Sequence, residues 1–196
     1  MRLDGRYLVE KTYRNRAWPV RIMGMLLVSW EAFIYSRLKG ISGIPKLTGR
    51  PDKHTLVTSY MGGENLRITT KRPDGPYFEK LSRIIEQMHQ RGVLHLDLRN
   101  RRNYGIDTGG LPYLVDFASC LYIPWPGKLK DVLASIDWMG FLKVKGKLNP
   151  EGISNEERRR LAVGKTLSNL WLPGRAIKSI RDMIRYLRHH FWGLRD

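Results

Sequence analysis

The sequence predicts an α+β fold, and three observations predict it. Short runs of β-forming residues fill the first third of the chain around one helical pattern. Helical apolar spacing then dominates, and the glycine pairs Gly62-Gly63 and Gly109-Gly110 break the chain between segments. At 196 residues and 22.9 kDa the chain supports one substantial core, which excludes a large multidomain architecture.

The elements follow in order. Tyr7 to Tyr13 is rich in β-formers and reads as a strand carrying Lys11, followed by an Arg-rich connector through Trp18-Pro19. From Gly24 to Leu38, Leu27, Trp30, Ile34 and Leu38 recur at helical spacing, place Glu31 inside a helix, and end at Gly40. Ile44 to Leu47 and Thr55 to Tyr60 read as further strands. Phe78, Leu81, Ile84, Ile85 and Met88 form one face of a helix that Gly92 terminates. Val93 to Leu96 and Tyr113 to Val115 read as strand pieces. Beyond Leu129 the pattern is helical, with a helix beginning near Leu133, an exposed Lys-rich stretch at Lys143 to Lys147 and a basic segment at Glu156 to Arg160. There is no internal repeat.

Lys plus Arg minus Asp plus Glu is 35 − 18, a net charge of +17, which points to phosphate-rich partners: nucleotides, nucleic acid or an anionic membrane face. A hydrophobic fraction of 42% is too apolar for a disordered basic tail. Cys120 is the single cysteine, so no internal disulfide or cysteine-built zinc site forms, which fits a reducing compartment. Met1 to Tyr13 lacks the apolar middle of a signal peptide, and Ile22 to Trp30 is about half the roughly 20 residues of a spanning helix. A cytoplasmic protein is expected.

The chemistry-bearing segment is His95-Leu96-Asp97-Leu98-Arg99-Asn100-Arg101-Arg102-Asn103, followed by Tyr113-Leu114-Val115-Asp116-Phe117. It resembles the catalytic loop and metal-binding strand of the protein-kinase-like superfamily. Phosphoryl transfer needs a carboxylate to orient or deprotonate the attacking hydroxyl, and oxygen ligands for a Mg²⁺ that bridges the phosphates. The resemblance implies the first role for Asp97 and the second for Asn103 and Asp116, with Asn100 as a fallback ligand. Upstream, Lys11 and Glu31 are similar to the superfamily's strand lysine and helix glutamate, which place the nucleotide phosphates. Thr58 falls at the gatekeeper position, with Ser59 to Met61 offering backbone groups to adenine. Asp137 resembles the buried aspartate that ties the catalytic loop to the helical lobe, a structural role.

Gly40 to Pro45 and the Arg-rich loop look like small bacterial kinase-like proteins related to the lipopolysaccharide-core (Kdo or heptose) kinases, and more distantly the RIO kinases. The resemblance spans roughly Leu8 to Asp137. It implies a two-lobe fold with a reduced N-lobe (1–57), a hinge (58–63) and a mostly helical C-lobe (64–170), while the apolar and cationic spacing further on reads as a basic amphipathic C-terminal helix (171–196). Departures are visible too. Ten residues precede Lys11, short for the usual strand pair with its glycine-rich loop. Leu96 replaces the arginine that reads activation-loop phosphorylation, and Ala118 the last glycine of Asp-Phe-Gly. No Ala-Pro-Glu-like motif lies between Asp116 and Asp137, so the acceptor need not be a peptide.

Taken singly, these residues have plainer readings. A strand lysine is usually a solvated edge residue and a helix glutamate a surface charge. Asp97 and Asp116 directly follow apolar runs, where a half-buried carboxylate is costly without a cation or donor. His95 reads as a brace for the loop, and His89, His189 and His190 lack metal-ligand company. Arg99, Arg101 and Arg102 are either a solvated charge run or a clamp for an acidic acceptor. Ile177, Ile180, Ile184, Leu187 and Phe191 alternate with cations at helical spacing, either to dock on the protein or to lie on an anionic inner-membrane face.

These readings make the chain an ATP- and Mg²⁺-dependent kinase whose acceptor is a hydroxyl on a protein, a sugar or a glycolipid. The alternatives are a non-catalytic nucleotide-binding scaffold, given the missing glycine-rich loop, and a basic RNA- or ribosome-associated module. The last lacks an aromatic-rich recognition strand or zinc motif.

Overall fold

The computed structural model describes residues 2–3, 6–70 and 72–161, in two compact units, Met1–Ile153 and Ser154–Asp196. The amphipathic segment 171–196, with His189 and His190, lies outside the described residues.

The first unit opens on a four-stranded antiparallel sheet ordered β1-β2-β4-β3, formed by β1 (Arg2–Leu3), β2 (Arg6–Thr12), β3 (Leu47–Asp52) and β4 (Thr55–Ser59). Among the described residues only β1, two residues long, precedes the strand that carries Lys11, so the usual strand pair does not stand ahead of it; β1 and β2 pair as a hairpin with two residues between Leu3 and Arg6. Lys11 pairs with Leu56 in the β2–β4 ladder, and β4 is buried through Thr58.

Helix α1 (Trp18–Arg37) starts six residues before the expected Gly24, because Pro19 occupies its first turn, where a missing N–H and a preset φ suit a helix start. Of the expected inner face, Ile34 and Leu38 are buried, but the first half of the helix is rotated from expectation. Val28, Glu31, Ala32 and Tyr35 face inward, while Leu27 and Trp30 are half-buried. Periodicity found the helix, but α1 is apolar on two sides and the pattern does not distinguish them.

The strand expected at Ile44 to Leu47 instead begins at Leu47. Ile44 and Pro45 are buried in a loop pressed onto the next helix, and a Cβ on Gly43 would lie 2.4 Å from Ile84 Cδ1. That helix, α2 (Gly75–Gln90), buries all five predicted residues, and Asp74 caps it by accepting a 2.9 Å bond from Tyr77 N.

Short strands frame the centre: β5 (Glu64–Asn65), β7 (Tyr104–Ile106) and β8 (Pro112–Leu114) form one sheet, β6 (Val93–Leu94) and β9 (Leu121–Tyr122) another. Helix α3 (Lys128–Leu148) begins before the expected Leu133 and buries Leu133, Asp137, Phe141 and Val144 on one face. The Lys-rich stretch is less exposed than expected, since Lys143 and Lys145 are half-buried on either side of Val144. In the second unit residues 155–161 are helical. Ser154 Oγ accepts from Glu157 N at 3.2 Å and Glu157 Oε2 accepts from Ser154 N at 2.8 Å, a reciprocal cap at the start of that helix.

Candidate active site

Three predicted residues from three elements meet at one ammonium group. Lys11 Nζ donates to Glu31 Oε2 at 2.8 Å and to Asp116 Oδ1 at 3.2 Å. Strand β2 presents the lysine, the inner face of α1 supplies a glutamate that is 2% exposed, and Asp116 follows β8. Burial alone would push Lys11 down, but Glu31 and Asp116 more than offset it and hold the ammonium above the usual lysine range. Burial pushes the Glu31 carboxyl up, against the opposing pull of Lys11. The pair is thus a buried charge held by its partner, the arrangement that fixes a cation's direction.

Tyr13, which the sequence reading did not single out, stands beside this cluster. Burial raises its phenol pKa, and Lys11, Glu31 and Asp116 all act on it. Its ring lies against Gly24 of α1, where a Cβ would be 2.3 Å from Tyr13 Cγ. This close approach lets α1 sit near β2, so that Glu31 reaches Lys11. The signals were an aromatic two positions after the lysine and a lone glycine in the α1 pattern.

The loop holding Asp97 is organised by amides. Asn103 Nδ2 donates to Asp97 Oδ2 at 3.1 Å and to the Asp97 carbonyl at 3.0 Å, while Asn100 Nδ2 reaches Asp97 Oδ2 at 3.4 Å. The two asparagines then diverge. Asn100 Oδ1 accepts from Arg102 N at 3.2 Å, whereas the Asn103 carbonyl accepts from Val115 N at 3.0 Å, one residue before Asp116. The β7–β8 pairing, Tyr104 opposite Leu114, continues this link and sets Asn103 and Asp116 at matching ends of two strands.

Beneath the loop, Asp137 is fully buried and accepts from His95 N and Leu96 N, each at 2.7 Å, and from His89 Nε2 at 3.0 Å. These bonds end β6 at Leu94 rather than Leu96, and they hold Leu96 at φ 61, a left-handed conformation unusual for leucine. His95 Nε2 lies 3.2 Å from the Val115 carbonyl. A carbonyl only accepts, so Nε2 carries the proton. The next residue but one, Phe117, is buried against His95 and Tyr35, each at a centroid separation of 5.2 Å. Asp116 itself is left-handed, at φ 66, between these two fixed neighbours.

The other predicted positions are simply placed. Thr58 is buried on β4. Ser59 N donates to the Lys46 carbonyl at 2.9 Å and Tyr60 N to the Tyr7 carbonyl at 3.1 Å, and Met61 follows. Arg99 and Arg102 are exposed and Arg101 half-buried, and none has an ion-pair partner among the described residues. No cluster of three His, Cys, Asp or Glu side chains suited to a metal occurs among the described residues. Beside Glu31, which faces the ammonium, the oxygen donors at hand are one half-exposed carboxylate, Asp116, and one amide, Asn103, whose nitrogen is committed to Asp97 and whose backbone bonds Val115, the residue before Asp116. Such a sparse oxygen set fits a small hard cation that keeps water and substrate phosphate in its shell, and does not fit zinc.

With this geometry in view, the class is clear: the chain has a protein-kinase-like fold. Solved structures match it, among them the Rio2 kinase from Chaetomium thermophilum, at a TM-score of 0.52 and 15% identity, over 80% of this chain. The match spans 59% of the length of that Rio2 chain. No protein-family model matches the chain, and no curated protein matches it in sequence.

Proposed function

We propose that this protein is an ATP-dependent phosphotransferase that moves the γ-phosphoryl group to a hydroxyl on a protein, or on a lipopolysaccharide or other glycolipid. The observation that carries the reading is Lys11 Nζ bound at once to Glu31 and Asp116, with Asn103 bonded to Val115, the residue before Asp116. The reading divides the molecule into a reduced N-lobe around β1–β4 and α1, and a mostly helical C-lobe.

In this scheme Glu31 directs Lys11 toward the α and β phosphates. Asn103 and Asp116 would hold Mg²⁺, which neutralises charge on the phosphates when bound. The Asn103–Val115 bond favours Asn103 over Asn100, whose side-chain oxygen is already taken by Arg102 N. Asp97, steadied by both asparagines, accepts the proton of the acceptor hydroxyl. That oxygen then bonds to the γ-phosphorus as the bond to the β–γ bridging oxygen breaks, leaving ADP. The backbone of Ser59 to Met61 would offer hydrogen-bonding groups to adenine. Arg99, Arg101 and Arg102 would hold an acidic group on the acceptor through paired N–H contacts.

The test is to incubate the protein with labelled ATP and fractionated cell lipid, glycan and protein, and to find where the label goes. Asp97→Ala should lower transfer by about 10²–10⁴-fold while sparing nucleotide binding. Asp116→Ala should weaken Mg²⁺-ATP binding itself. Unchanged turnover in Asp97→Ala overturns the reading.

A further inference from the structure

Helix α1 has two apolar faces, and the core covers only one. Its inner face carries Val28, Glu31 and Tyr35. On its first two turns the other face presents Trp18, Ile22, Met23 and Leu26, between 49% and 69% exposed. Large apolar side chains are exposed singly on most proteins, but four on consecutive turns of one helix form a continuous patch. Trp18, Ile22 and Leu26 lie four residues apart and make a stripe about 12 Å long at 1.5 Å per residue.

The charge around this stripe selects what covers it. From residue 13 to residue 39 the charged side chains are Arg14, Arg16, Arg21, Arg37, Lys39 and Glu31. The one carboxylate, Glu31, is buried against Lys11 on the opposite side of the helix. The five cations are exposed; Arg14 pairs with Asp52 of β3, and Arg37 stacks on Phe33 and Tyr122 at the far end of the helix. An apolar stripe with a tryptophan at its end and a mainly cationic rim suits an anionic bilayer surface, where apolar side chains enter the headgroup boundary and arginines meet phosphate. No described helix is long and apolar enough to cross a membrane. We propose that the outer face of α1 docks the protein on an anionic membrane surface through Trp18, Ile22, Met23 and Leu26.

The inference stands apart from the phosphotransferase reading. Glu31 is 31 − 22 = 9 residues from Ile22, about 180° around a helix of 3.6 residues per turn, so the docking face can change without touching Lys11.

The experiment uses the full chain with vesicles of phosphatidylglycerol or of phosphatidylcholine. Binding to phosphatidylglycerol is expected, weakening as salt screens the cations. The triple variant W18S/I22S/L26S should lose about tenfold or more of that affinity, because an interfacial helix binds by its buried apolar area. A polarity-sensitive dye on Met23→Cys should shift to the blue on phosphatidylglycerol vesicles; the other thiol, Cys120, is buried. The dye readout decides the matter if the triple variant fails to fold. Equal vesicle affinity in a folded triple variant overturns the proposal, as does an unshifted dye. A dimer that the triple variant abolishes, with no dye shift on vesicles, assigns the face to a second copy of the chain instead.

Discussion

The Asp97 side and the Lys11 side of the site are held in different ways. Asp97 sits on a loop fixed from below by Asp137, whose carboxylate is fully buried and bound by two backbone N–H groups and one imidazole. Lys11 is held by side chains alone, with Asp116 half exposed and the preceding hairpin only two residues long on one strand. The first side is over-determined, so it tolerates left-handed Leu96. The second depends on how closely one helix approaches one strand. Backbone-anchored geometry resists perturbation, whereas a side-chain triad follows the packing of its elements.

The largest effect that tests this contrast is expected from Asp137→Ala. It leaves two buried backbone donors and His89 without their acceptor, and should cost roughly 3–5 kcal/mol in urea unfolding. Asp137→Asn, which keeps one acceptor oxygen, should lose less. A loss under about 1 kcal/mol for the alanine variant would mean that the loop is not anchored from below.

A smaller effect is expected where α1 meets β2. A Cβ at position 24 meets the Tyr13 ring at 2.3 Å, so Gly24→Ala should lose about 1–3 kcal/mol to overpacking, less the roughly 1 kcal/mol alanine returns as a helix former. Adding Tyr13→Ala should restore most of it by making room. In nucleotide titrations the single variant should bind ATP more weakly and the double variant should partly recover. Purely additive effects would detach Tyr13 from the positioning of Glu31.

The smallest effect is a pH dependence. Burial raises the Glu31 carboxyl in the folded protein, so the unfolded chain releases that proton first as pH rises. Stability therefore falls between the ordinary carboxyl value of 4.5 and the raised one, and Glu31→Gln should remove that part of the slope. Lys11 has the same sign at the other end. Its contribution is complete below the ordinary 10.5 and is lost only as pH climbs through the higher folded value. Up to about pH 9 the stability gap between wild type and Lys11→Met should therefore not narrow, and it widens where Glu31, without Lys11 to lower it, ionises in the variant. A gap that narrows below pH 9 would place Lys11 outside the influence of its carboxylates.

Much of this was legible in the sequence. The five-residue face of α2 emerged whole because its apolar positions are all on one side. Lys11, Glu31 and Asp116 were singled out by order and type, and the structure brings them within 3.2 Å of one nitrogen. The start of α1 and the inner face of its first half were not legible, because a helix apolar on two sides gives a periodicity with no unique phase, although Ile34 and Leu38 were placed inward correctly. Nor was the end of β6, where Asp137 takes the N–H groups a longer strand would use, from a helix 41 residues downstream of Leu96.

By itself the sequence determined which side chains were available for chemistry, and the periods that set helix against strand, because both are local properties of residue type and spacing. Only the tertiary structure decided which asparagine bonds Val115, how near α1 stands to β2 at Tyr13 and Gly24, and which face of α1 is left outside. Those depend on backbone partners and close contacts between residues far apart in the chain, and no local pattern encodes them.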